Sequence, residues 1–148
     1  MKLPLLLGAL LLSASPVVAN DYVYLKCIGT LKNTVFDWNR TKELNHWDSN
    51  TEILYKIDTK NEVLFVSSKP EIAIQYELQH PGFIGFTEQF SEGRISGENR
   101  IYLQYDPPGV FYGAMFHLDQ IRNLKYSGLV NGSCEASDAS AHRFPRDR

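Results

Sequence analysis

The chain predicts an all-β fold: about eight antiparallel strands run as a meander and close into a small barrel, with a two-sheet sandwich as the alternative. Three observations carry this. Apolar residues recur at every second position along most of the chain, turn-forming clusters separate the runs, and helical periodicity is nearly absent. Eight strands are also a number that closes into a small barrel, which leaves no exposed edge.

Residues 1–19 stand apart from that pattern and read as an export signal. Lys2 supplies a positive start, Leu3 to Leu12 an apolar run too short to span a bilayer, and Pro16, Val17, Val18 and Ala19 a helix break with small residues before a cleavage point. The expected mature chain begins at Asn20. Residues 20–135 then form a single domain and residues 136–148, rich in serine and arginine, a disordered tail. No cysteine lies at the cleavage point for lipid attachment, and no later apolar run approaches the ~18 residues of a spanning helix. The expected location is therefore periplasmic or secreted.

The strands follow in order. Val23, Leu25 and Cys27 alternate with polar residues in the first, expected over residues 22–28. Residues 53–58 and 63–66 form a hairpin around Thr59, Lys60 and Asn61, where Asn61 is the residue suited to positive φ. Ile72, Ile74, Tyr76 and Leu78 mark a strand over 72–78, and 83–90 forms the next. Turns are expected at Ser91, Glu92 and Gly93, again at Ser96 to Asn99, and at Asp106-Pro107-Pro108-Gly109, where neither proline can donate to a ladder. Strands over 100–105, 110–118 and 124–129 complete the set. Residues 37–50 are too polar and irregular for a core strand and read as a loop with at most one helical turn.

Two cysteines remain, Cys27 and Cys134, and in an oxidising compartment an even pair reads as a disulfide, here tying the first strand to the last. The early Leu25-Lys26-Cys27-Ile28-Gly29, the late Phe116-His117-Leu118-Asp119-Gln120-Ile121-Arg122-Asn123-Leu124 and the closing Gly132-Ser133-Cys134-Glu135 resemble a layout common among uncharacterised small exported bacterial proteins. Those have an L-x-C-x-G opening, an I-D-R-x-T-G strand entry and a G-x-C ending around a β-rich middle; here no Thr-Gly follows Leu118-Asp119-Gln120. That resemblance implies compartment, disulfide and fold, and no mechanism. The chain is also similar in plan to the periplasmic inhibitors of c-type lysozyme, although Tyr126-Ser127-Gly128 runs on into Leu129 and Val130 where their inhibitory loop has a basic residue and an aromatic.

Charge and motifs narrow the function. The whole chain has 15 basic and 17 acidic side chains, and removing Lys2 with the leader leaves 14 against 17, too small an imbalance to favour nucleic acid or an anionic membrane. No nucleophile elbow, zinc-protease, phosphate-loop or dinucleotide fingerprint occurs, so no catalytic residue, cofactor site or metal ligand set is assigned. His46, His80, His117 and His142 sit in unlike settings, and His117 reads as a barrel-wall residue. Glu88 would share a strand face with Phe86 and Phe90 if alternation is strict; a local bulge or an exposed face is the preferred reading.

Trp38 and Trp47, with Arg40 and His46 between them, fall in the expected 37–50 loop and form its candidate binding set, for a protein or a glycan. The other reading tucks both indoles into one end of the barrel. The expectation is an exported, non-enzymatic binding module for an envelope or extracellular macromolecule, an inhibitor or assembly factor. The alternative is a lipocalin-like carrier holding an apolar small ligand in a hollow barrel.

Overall fold

The computed structural model describes residues 21–39 and 42–138. The expected leader, Arg40 and the tail from 139 onward lie outside the described residues. Eight strands follow in chain order: β1 (Tyr22–Asp37), β2 (Glu43–Asp58), β3 (Val63–Val66), β4 (Lys69–His80), β5 (Phe83–Glu92), β6 (Ile95–Tyr105), β7 (Pro108–Asp119) and β8 (Leu124–Ala136). Each pairs antiparallel with the next, and β8 returns to β1, so the sheet is a closed barrel and the sandwich alternative is excluded. β8 runs through Ala136, one residue past the expected domain boundary.

The sequence of the seam explains its geometry. Cys27 lies opposite Cys134 in the β1–β8 ladder, with Cα atoms 4.0 Å apart, and the two form a disulfide. Two residues further along the same face, Gly29 lies opposite Gly132. A Cβ on Gly29 would stand 2.9 Å from the Phe111 ring and one on Gly132 2.5 Å from it, so the paired glycines open the space that this buried ring fills. The L-x-C-x-G and G-x-C strings are thus two halves of one device.

The barrel is packed at one end. Leu25, Ile57, Leu64, Ile84 and Leu103 are wholly buried there with Phe111 and the disulfide, each large apolar side chain contributing about 1.5–3 kcal/mol by leaving water. The turns at 59–62, 81–82 and 106–107 lie at this end, and the Tyr105 amide donates to the Gly82 carbonyl across it (2.8 Å).

Two hairpin turns, at opposite ends of the barrel, share one construction. Asp58 Oδ1 accepts from the amides of Lys60 and Asn61, and Asp119 Oδ1 from those of Ile121 and Arg122. Positive φ falls on Glu62 (56°) and Asn123 (53°), four residues after each aspartate, so Glu62 and not Asn61 takes the left-handed position. Asn61 is occupied otherwise, its side chain donating to Asp58 Oδ2 at 2.7 Å. Burial opposes ionisation of Asp58, yet the Asn61 side chain, the Asn61 and Lys60 amides and the Lys56 charge together hold its pKa below the usual carboxylate value.

Strand lengths differ from the expectation in two places. Most of the 37–50 segment is strand and not loop. β1 runs on to Asp37, laddered to β8 as far as Asp37↔Leu124, Trp38 and Asn39 turn, and β2 begins at Glu43 on the other side of β1. The extended β1–β2 pair forms an arm on the edge of the barrel. Its polar side chains are no obstacle, since β1 and β2 continue their ladder through Asn33↔Trp47 and Val35↔Asn45 while most of the residues between 43 and 50 meet water. Likewise the turn expected at Ser96 to Asn99 is β6, paired in register with β5 from Ile95 onward. Gly97 serves close packing there, because a Cβ on it would stand 2.9 Å from both the His117 and Phe90 rings.

Candidate functional site

The short β3 leaves the barrel open at the end opposite its packed core. Its turn into β4, at Ser67 and Ser68, stands level with Leu54, whose carbonyl accepts from the Ser67 amide at 3.0 Å. β3 pairs with β2 only from Tyr55 to Asp58. Residues 43–53 of β2 therefore have no ladder on the side away from β1 among the described residues, a free edge of roughly 35 Å at strand rise. From residue 45 onward neither proline nor bulge interrupts that edge.

The candidate binding residues are spread along this arm. Trp38 is at its tip, 39% exposed, its amide donating to the Asn123 carbonyl (2.9 Å) and its ring under the Lys125 ammonium at 5.8 Å. Trp47 is 40% exposed and sits within β2 opposite Asn33. Alternation places it on the barrel-facing side with Ser49 and Thr51, above the opening. Trp38 is in the turn after β1, as expected of a loop residue, whereas Trp47 is in a strand, and neither indole is plugged into the core. His46, on the other face of β2, is exposed, and its Nδ1 lies 2.9 Å from Glu43 Oε1. Arg40 is outside the described residues.

Below the opening lies a cavity of about 200 Å³, with Thr51, Tyr55, Phe86, Glu88, Asn99 and Met115 in its wall. Glu88 faces inward. β5 and β6 pair without a break from Phe83↔Gln104 to Glu92↔Ile95, so there is no bulge and strict alternation puts its carboxylate on the face of Phe86 and Phe90. This overturns the preferred expectation of a bulge or an exposed face.

Glu88 is the first of three polar side chains in line. The Asn99 amide nitrogen donates to Glu88 Oε2 (3.2 Å), which leaves Asn99 Oδ1 to accept from His117 Nε2 (3.1 Å). His117 therefore carries its proton on Nε2. Its ring stands edge-on to Phe90, centroids 4.8 Å apart, and burial lowers its pKa, with the Glu88 charge acting in the opposite direction. Lys69 reaches the same carboxylate from β4: its ammonium lies 2.9 Å from Glu92 Oε1 and 3.7 Å from Glu88 Oε1. The hydrogen bond to Glu92 and the two carboxylate charges raise the Lys69 pKa against some desolvation.

Tyr55 forms the floor. It is 2% exposed, edge-on to Phe86 with centroids 5.8 Å apart, and its hydroxyl has no hydrogen-bond partner among the described residues. Burial and the Glu88 charge push its phenol well above the usual value.

Asn99 and His117 were not singled out by sequence as one site with Glu88, because they are 11 and 18 residues from their partners and meet only through strand register. The one signal was parity: Glu88, Asn99 and His117 each keep step with apolar inward residues of their own strands. Among the described residues no group of three or more histidine, cysteine or acidic side chains is placed to hold a metal ion, and no helix is long and apolar enough to cross a membrane. No family model matches the chain, and neither a curated protein nor a solved structure is significantly similar to it.

Proposed function

We propose that this is an exported, non-enzymatic binding module that engages a protein or glycan of the envelope or extracellular space along the β1–β2 arm, as an inhibitor or assembly factor. The observation that carries this reading is the free edge of β2 over residues 43–53, with half-exposed Trp47 in the strand itself and half-exposed Trp38 in the turn after β1. Unpaired strand amides and carbonyls accept an added strand, and indoles beside them bury a large area on contact. Leu44, 52% exposed on the same arm, extends the apolar surface. The Cys27–Cys134 disulfide supports a periplasmic or secreted location, since such bonds persist where thiols are oxidised.

The carrier reading is less well supported. Small-molecule pockets run from about 300 to 1,000 Å³, whereas the cavity in the barrel measures about 200 Å³. An enzyme reading has less behind it: Nε2 of His117 donates to Asn99, which leaves Nδ1 as the basic nitrogen, and no hydroxyl or thiol is hydrogen-bonded to it among the described residues.

Photo-cross-linking in the native envelope tests the proposal. With p-benzoylphenylalanine in place of Trp47, a discrete adduct should form that is lost in a Trp38→Ala background, while the same probe at Thr59, at the packed end, gives none. Trp38→Ala itself should shift stability by less than about 1 kcal/mol. Equal labelling from both positions would contradict the assignment.

A further inference from the structure

The cavity below the β2 edge holds an unexplained pair of acceptors. Tyr55 is a buried phenol whose oxygen meets no donor or acceptor among the described residues. Glu88 has one oxygen engaged by Asn99, while the other has only the 3.7 Å approach of Lys69, whose ammonium lies closer to Glu92. Two carboxylates share that one lysine, and of the two Glu88 is the one in the cavity wall and the more distant from the ammonium. Asn99 gives one N–H to Glu88, and its oxygen accepts from His117. What the cavity wall lacks, among the described residues, is a donor carrying positive charge.

We propose that the barrel mouth is a binding site for a primary ammonium group on a short alkyl chain, held between Glu88 Oε1 and the Tyr55 hydroxyl with Phe86 alongside. An ammonium has three donors and no acceptor, which matches the Glu88 and Tyr55 oxygens, the phenol hydrogen rotating to suit. The Tyr55 and Phe86 rings in the same wall are the aromatic partners that a cation favours. Ile53, Val66, Met115 and Val130 in the same wall take the methylenes. A volume of about 200 Å³ accommodates a lysyl-type side chain and no drug-sized ligand. Lys69 shows the same chemistry next door, its ammonium between two carboxylates and 5.7 Å from the Phe90 ring centroid. The ammonium has two sources, a lysine side chain of a partner chain or a free alkylamine. This inference does not depend on the β2 edge being a docking surface.

The test is titration of the intact exported protein with Nα-acetyl-lysine-N-methylamide, with n-butylammonium and, as uncharged control, with the Nε-acetylated lysine derivative, read from the NMR signals of Tyr55 and Phe86. Either amine should give saturable shifts by about 10 mM, the control none. Glu88→Gln should weaken binding at least tenfold. Tyr55→Phe should weaken it several-fold, which keeps the test decisive if Glu88→Gln does not fold. Saturation by both amines assigns the site to a peptide-borne side chain, and saturation by n-butylammonium alone to a free amine. Absence of saturable shifts with both, equal shifts with the acetylated control, or binding unchanged in Tyr55→Phe would overturn the proposal and leave the cavity to water.

Discussion

Gly29 and Gly132 face each other across the closing seam of the barrel, and the ring of Phe111 lies over both. Neither position tolerates a side chain. A Cβ on Gly132 would come within 2.6 Å of the Gly29 Cα as well as striking the ring, so Gly29→Ala and Gly132→Ala should each cost about 1–3 kcal/mol, the usual effect of overpacking. Urea unfolding measures it. Wild-type stability in both variants would show that the seam is looser than this pairing requires.

The disulfide two residues away should matter for a different reason. Cys27 and Cys134 are 107 residues apart in sequence, so the bond constrains nearly the whole unfolded domain. Cys27→Ser or Cys134→Ser should cost about 2–5 kcal/mol, and the native thiols should resist alkylation until reduced. Free thiols in protein recovered from the periplasm or medium would contradict the bond.

His117 gives the protein an acid sensitivity with a definite sign. Its folded pKa lies below the unfolded value near 6.5, so above that pH both states are neutral and the group has no effect. As pH falls through about 6.5 the unfolded chain takes up a proton that the folded one refuses, and stability drops until the folded pKa is passed. His117→Gln should flatten that part of the stability–pH profile. A slope between pH 7 and 5 unchanged by the substitution would show that other groups produce it.

Tyr55 acts at the other end of the scale. Its folded pKa is raised, so its contribution is complete below the unfolded value near 10 and is lost as pH rises beyond it, because the unfolded phenol ionises first. Tyr55→Phe should reduce the alkaline loss of stability and leave stability at pH 7 unchanged or slightly higher, since the hydroxyl it removes has no partner within the fold. A loss above about 2 kcal/mol at neutral pH would mean that a hydroxyl partner exists.

The parts of this fold legible in the sequence are those where one face is apolar. Val23, Leu25 and Cys27, or Ile101, Leu103 and Tyr105, alternate because their partners lie inside a packed barrel, and period two announces it. The upper half of β2 is hidden because it stands clear of the core: Asn45, His46, Asp48 and Asn50 are all exposed, so neither face is apolar and the segment reads as a loop. The start of β6 was masked by Ser96-Gly97-Glu98-Asn99, turn-like residues that stay in the ladder because Gly97 makes room for His117 and Phe90. Glu88, Asn99 and His117 could not be joined from sequence, since three strands in register bring them together and no local spacing records it.

The barrel is closed and packed at one end while β2 keeps a free edge at the other, the surface we propose for a partner. Residue-resolved amide hydrogen exchange of the free protein tests it most directly. Within β2, residues 55–58, laddered on both sides, should be protected throughout, as should the centres of β1 and β8. Across residues 43–53, slow and fast amides should alternate, those turned towards β1 protected and those turned away exchanging at near-intrinsic rates. Uniform slow exchange along the whole of β2 would show that its edge is already covered and would contradict the account.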